Sequence, residues 1–201
     1  MGGGVIRGRV LFQPNFDFDQ YIKLMEAIPS IISRSCFGGI LYHQLGLPFQ
    51  SPTINMFWEE EDYYKLLSDL RGYMDKPLDF IKWGSNKEGK EYPICSLGDI
   101  QVLMNHYETY EEAELKWNLR KKRINYDNLF IVNFTQSEYW AEKFSKLPYK
   151  KKVCFTDFDM EDCINIKDIY DKNIQNKTMG MIVNETAYGR YRLFNPFQML
   201  C

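Results

Sequence analysis

The chain has only two histidines, His43 and His106, so any thiol or hydroxyl nucleophile that relies on an imidazole base must use one of them. The candidate nucleophile is Cys36. It lies in I-I-S-R-S-C-F-G-G-I-L-Y-H-Q-L-G-L, Ile31 to Leu47. This stretch reads as a buried strand end, a tight turn and a helix. A thiol at a helix N-terminus has a reason to be activated. A small buried hydrophobe is the other reading of the same cysteine. Gly38 and Gly39 would let a ligand approach the backbone. Asp99 and His106 are candidate general bases. Arg120 falls on the helical stripe of Trp117 and Ile124, where a charge must be paired or face a cleft. An arginine snorkelling at the core edge reads equally well. Asp157-Phe158-Asp159 follows a short strand, as a D-x-D that holds a divalent metal on a diphosphate does. Asp17-Phe18-Asp19 repeats the tripeptide at a helix start, where acids suit the dipole without a metal.

These residues need a scaffold. The chain has 201 residues, 45% hydrophobic and 16% aromatic, enough for one folded domain with a sizeable core. A net charge of -2 implies no general attraction to nucleic acid. The five cysteines, at 36, 95, 154, 163 and 201, form no C-x-x-C pair and match no zinc spacing. They are expected to be reduced, none bridged, in a cytoplasmic protein. No apolar run reaches transmembrane length. The first residues read as a flexible end, without a signal peptide or a myristoylation site, since Ile6 stands where Ser or Thr is wanted.

Strands are expected at Val5–Phe12, Ile54–Trp58, Leu78–Trp83, Gln101–Tyr107, Leu129–Phe134, Val153–Phe155 and Met179–Val183. Helices are expected at Phe16–Ala27, from the acids Glu59–Asp62 through Met74, at Tyr110–Ile124 behind a Thr109/Glu112 capping box, and at Ser137–Leu147. The acid run reads as a solvated helix start. The alternation predicts an α/β fold: three-layer, Rossmann-like, with a mixed or mostly parallel sheet flanked by helices. Residues 31–156 would form the core, 1–30 an N-terminal extension and 157–201 a C-terminal extension packing on it.

Several motifs then occur in order: S-x-x-C-F-G-G-x-x-Y-x-x-L-G-L, S-P-T, Y-P-x-x-x-L-G-D-I, H-Y-x-x-x-E-E-A-x-x-K-W, R-I-N-Y-D-N-L-F and L-P-Y-K-K-K-V-C-F. Over roughly Ile31 to Phe155 they resemble the bacterial family called domain of unknown function 1919. Members carry labels such as exopolysaccharide or capsule biosynthesis protein, acetyltransferase or glycosyltransferase. The resemblance implies a cytoplasmic α/β protein near surface-polysaccharide assembly. It marks Cys36, Gly38, Gly39 and Tyr42, then Asp99 and His106, then Trp117, Arg120, Arg123, Asn125 and Asp127. Ser35, Phe37 and Leu103 stand where the family usually has Asn, Trp and His, and the segments outside Ile31–Thr156 match less well.

Two functions follow as expectations. The first is a transferase acting on a sugar or nucleotide sugar. Arg120 and Arg123 would bind phosphate or carboxylate, and Asp99 or His106 would deprotonate an acceptor hydroxyl. The second is a non-catalytic module that binds a glycan or a partner of the same pathway, peripherally associated with a glycan-synthesis complex. No cofactor is specified, no nucleic acid and no membrane span. Geometry separates the two. An enzyme gathers Cys36, Asp99, His106 and Arg120 into one pocket, with Arg120 paired to Asp99. A module scatters them and exposes an aromatic patch.

Overall fold

The computed structural model describes residues 17–192 and 195–201. The strand expected at Val5–Phe12 lies outside the described residues. Helix α1 (Phe18–Glu26) starts at Asp17, whose carboxylate accepts the Gln20 N–H at 3.0 Å. The first D-x-D is therefore a helix cap. Strand β1 (Ser30–Ser33) runs through the turn at Arg34–Cys36 into α2 (Phe37–Gln44), so the central strand–turn–helix forms as the sequence indicates.

β1 is one edge of a four-stranded parallel sheet. Its order is β1-β5-β6-β7, with β5 at Leu129–Thr135, β6 at Lys152–Thr156 and β7 at Cys163–Asn165. Ser30 faces Leu129, and Val132 faces Val153. Such strands are buried on both faces and read as continuous apolar runs. Ile31, Phe130, Val132, Phe134, Val153 and Phe155 enter one hydrophobic cluster with α2 and the C-terminal helices. Ile32, Ile131 and Cys154 point the other way into a second cluster.

That second cluster holds α3 (Glu60–Ser68), α4 (Leu70–Asp75), α5 (Tyr110–Lys121), α6 (Glu138–Ser145) and a separate antiparallel sheet. The sheet is β2 (Asp79–Ser85), β3 (Glu91–Leu97) and β4 (Ile100–Leu103), in that order. The fold is thus mixed α/β with two sheets. No described helix is long and apolar enough to cross a membrane.

Several expectations are corrected. Met179–Val183 is the start of helix α8 (Met179–Ala187), capped by the Thr178 side chain. Met179, Ile182, Val183 and Ala187 are buried at helical spacing, a period that a five-residue window hides. Ile54–Trp58 makes only an isolated bridge, Phe57 to Leu103, because Asn55 takes a left-handed φ of 63°. The helix expected through Met74 is broken at Asp69, whose carboxylate caps α4 by accepting the Gly72 N–H at 3.0 Å. β4 ends at Leu103, so His106 stands in a turn and Asp99 in the β3–β4 hairpin turn, beside Gly98 at φ 64°. The segment after β6 supplies β7, α7 (Lys167–Asn173), α8, a short 3-10 turn (Arg190–Arg192) and α9 (Pro196–Leu200).

Candidate functional site

The carboxyl end of β1 carries a buried polar network. Arg34 is buried. Its Nε donates to the Trp58 carbonyl at 3.0 Å and its Nη1 to the Phe134 carbonyl at 2.6 Å. Nη1 also meets Glu60 Oε1 at 3.2 Å, and the guanidinium lies 4.6 Å from the Phe134 ring centroid. Burial pulls the Arg34 pKa down, and Glu60 and Glu59 oppose it. The Glu60 of the supposedly solvated acid run is therefore the counter-charge of a buried arginine. One residue on, the Ser35 hydroxyl donates to Asn184 Oδ1 at 2.7 Å, tying the turn to α8. Neighbouring strand ends add the Gln136 amide, which donates to Asp157 at 2.8 Å, and the Asn165 amide, which donates to Asp159 at 2.6 Å. The second D-x-D thus binds side-chain amides. No group of three or more metal-ligating side chains occurs among the described residues.

Cys36 is half-buried at the start of α2, with its thiol pushed up to about 11 by desolvation. Desolvation thus works against the activation expected at a helix N-terminus. Gly38 and Gly39 serve packing. A Cβ on Gly38 would stand 3.0 Å from Ile31 Cγ2 and Ser33 Oγ, and one on Gly39 would stand 3.2 Å from Ile54 Cγ2. Tyr42 is fully buried. Its hydroxyl donates to the Pro29 carbonyl at 2.7 Å and accepts the Ile31 N–H at 2.8 Å, which fixes α2 on β1.

Arg120 points toward the core side of α5, as its stripe indicates, and reaches the neighbourhood of Cys36. Its partner is a phenol. Nη1 donates to the Tyr107 hydroxyl at 2.7 Å, and the guanidinium lies 5.1 Å from the Phe49 ring centroid. Tyr107 is buried, and its hydroxyl in turn donates to the Ile54 carbonyl at 2.8 Å. Burial raises the Tyr107 pKa and Arg120 opposes it; the Cys36 thiol is close enough to contribute. The expected Arg120–Asp99 pair does not form. Asp99 is exposed in the hairpin turn beside α3 and α4, where the Tyr73 hydroxyl donates to it at 2.8 Å and Lys76 lies 3.6 Å away. The Tyr73 hydrogen bond, then Lys76 and Lys65, hold its carboxyl below the ordinary value. That makes it a weak base.

His106 is exposed, and partial desolvation together with Lys90 lowers its pKa. Arg123 is exposed and donates to the Phe49 carbonyl at 3.3 Å. The Asn125 N–H donates to Ser30 Oγ at 2.8 Å, and its side chain accepts the Asp127 N–H. Asp127 lines a surface pocket of about 400 Å³ with Lys150 and Lys151. Trp117 is buried against Trp58, ring centroids 6.4 Å apart, with its indole N–H unpartnered. Arg120 and Cys36 both lie near Tyr107, whereas Asp99 stands apart beside Tyr73, Lys65 and Lys76. A surface pocket of about 570 Å³ opens at the amino ends of β5 and β6, and none of the expected site residues lines it.

The sequence reading missed Arg34, Glu60, Asn184 and the buried Asn133, whose side-chain oxygen has no partner. Ser33-Arg34-Ser35 at a strand end was the available signal. It also missed the outer face of β2. Every residue from Asp79 to Trp83 is exposed, with Phe80 and Trp83 at 41% and 47%. The Phe80 ring lies 5.5 Å from Trp83 and 5.7 Å from Tyr110. A register shift between Phe80 and Lys82 brings the two rings to one side of the edge strand.

Fold and site together define an α/β protein with a parallel sheet, a polar network at that sheet's carboxyl edge and an aromatic edge strand on a second sheet. The chain belongs to the family described as Domain of unknown function (DUF1919), whose profile matches residues 7–200. The match takes in both ends and is wider than the Ile31–Phe155 stretch on which the motifs lie. A protein of Haemophilus influenzae named "Uncharacterized protein" is 36% identical over 138 residues, covering 67% of this chain and 64% of that protein. The chain thus spans less than two thirds of the length of that relative.

Proposed function

We propose that this chain is a non-catalytic glycan-binding module of bacterial surface-polysaccharide synthesis, acting in the cytoplasm at the periphery of the synthesis complex. The dispersal of the candidate catalytic residues, with an aromatic strip exposed on β2, carries this reading. Pyranose rings stack on exposed aromatic faces, and Phe80, Trp83 and Tyr110 form a contiguous platform.

Tryptophan fluorescence tests the proposal directly. Of the four tryptophans, Trp58 and Trp117 are buried and Trp140 is half-buried, so Trp83 is the most exposed reporter. Oligosaccharides of capsular type should quench the signal saturably, and Trp83→Ala should weaken binding at least about fivefold, one stacked ring being worth roughly 1 kcal/mol or more. Absence of binding across oligosaccharides and nucleotide sugars would sink the proposal.

The polar network at the β1 carboxyl end favours a second reading, a transferase on an activated sugar. The parallel sheet with apolar clusters on both faces is then a Rossmann-like three-layer arrangement, and ligands of such sheets bind outside the strand carboxyl ends. Nucleotide-sugar binding that Ser35→Ala weakens and Trp83→Ala leaves unchanged would favour this reading.

A further inference from the structure

Two of the five cysteines face each other across adjacent parallel strands. Cys154 on β6 and Cys163 on β7 are direct register partners. Neighbouring strands stand about 4.8 Å apart, inside the roughly 4.4–6.8 Å Cα range that a disulfide spans. Side chains of register partners in a parallel pair leave on the same face, and both cysteines line one cleft of about 300 Å³. Cys154 is buried at its floor and Cys163 is half-buried at its wall. Ser145, Lys150, Lys152 and Asp162 complete the polar part of the lining.

The connection between the two strands is short. Residues 157–162 bring the chain back to pair in parallel, where such pairs ordinarily need a crossover of about a dozen residues or more. The turn is held by the Cys163 N–H donating to the Met160 carbonyl at 3.2 Å and by Asp162 in a left-handed conformation at φ 61°. The thiols are thus fixed side by side before any chemistry occurs.

We propose that Cys154 and Cys163 form a redox-active dithiol whose substrate is a hydroperoxide and whose oxidised state is a cross-strand disulfide. Cys163 is the attacking sulfur. It is the accessible member, and its contact with Cys154 holds its pKa below the ordinary thiol value, while Cys154 is raised by that same contact and by burial. The Cys163 thiolate attacks the distal peroxide oxygen, the O–O bond breaks, and the alkoxide leaves and is protonated to an alcohol, or to water when the oxidant is hydrogen peroxide. The sulfenic acid on Cys163 then loses hydroxide to attack by Cys154, whose thiol proton converts that hydroxide to water. Two thiols and one hydroperoxide give one disulfide, one alcohol and one water. The bond would clamp the turn that carries Asp157 and Asp159 at the carboxyl edge of the sheet.

Peptide mass spectrometry of the full chain tests this. Trypsin cuts after Lys152 and Lys167, so one peptide, Val153 to Lys167, carries these two cysteines and no other. After brief treatment with a few equivalents of hydrogen peroxide, unfolding and alkylation, this peptide should be unalkylated and lighter by two hydrogens. Alkylation should return after reduction with dithiothreitol, and Cys95, buried with its thiol pushed up to about 12, should stay fully alkylated throughout. Cys154→Ser should leave a dimedone-trappable sulfenic acid on Cys163, and Cys163→Ser should leave Cys154 unoxidised at the same dose. Full alkylation of both cysteines in the treated wild-type protein would overturn the proposal. So would a stable sulfinic acid on Cys163 beside an alkylated Cys154, or equal oxidation of Cys95.

Discussion

Arg34 and Arg120 show how one residue type meets burial in two ways. Arg34 is desolvated and answered by a carboxylate and two carbonyls. Removing either partner of such a pair strands the other charge, so this is where the fold is most sensitive to a single polar change. Arg120 keeps contact with solvent and is answered by a phenol and an aromatic face. Lysine at 120 would keep the charge but lose the planar stacking on Phe49 and the directed hydrogen bond to Tyr107. Arg120→Lys should therefore lower stability by about 1 kcal/mol, while Lys121→Ala should stay within about 0.5 kcal/mol. Urea denaturation of the two variants beside the parent checks both values, and equal midpoints for all three would show that the Arg120 contacts contribute nothing. The inward direction of Arg120 was legible from its spacing to Trp117. Its partner was not, because Tyr107 and Phe49 come from turns whose paths depend on tertiary packing.

Among the elements, legibility followed the strength of local signals. β1, α2, α5, β5 and α6 carry clear periodicity or caps and appear where expected. α8 was mistaken for a strand because Met179 to Val183 is too short an apolar window to separate a period of two from one of 3.6. The exposure of β2 was hidden because edge and central strands share composition. α8 and the turn after it also carry a charge cluster. Glu185 is contacted by Lys177 at 2.8 Å, by Arg190 at 2.9 Å and by the Tyr191 hydroxyl. Burial would raise the Glu185 pKa, but the hydrogen bonds from Lys177 and Tyr191 and the nearby cations prevail and hold it below the ordinary 4.5. A carboxyl depressed in the folded state contributes stability above its unfolded value, and that contribution is lost as pH falls through the folded value. The α8–turn junction should therefore loosen below about pH 4.5, seen as faster amide exchange at 185–191. Glu185→Gln should remove that pH dependence; if it persists in the variant, Glu185 is not its source.

At the scale of the whole molecule, the parallel sheet divides two hydrophobic clusters that share a backbone. Consecutive residues of β1 face opposite ways: Ile31 enters one cluster with Tyr42 and Ile182, and Ile32 the other with Trp58 and Trp117. Neither cluster can lose its sheet face without exposing the other, so the two are expected to unfold together. All the buried tryptophans lie in the second cluster, which gives a one-sided probe. Ile31→Ala removes buried methyl groups only from the first cluster and should cost about 2–5 kcal/mol. Its effect should nevertheless appear in full in the tryptophan signal of the second. Urea unfolding followed by fluorescence and by far-ultraviolet circular dichroism should give one coincident transition, shifted equally by Ile31→Ala and by its mirror, Ile32→Ala. A tryptophan transition that stays put in Ile31→Ala while the helical signal moves would mean that the two faces fold as separate units and that β1 does not couple them.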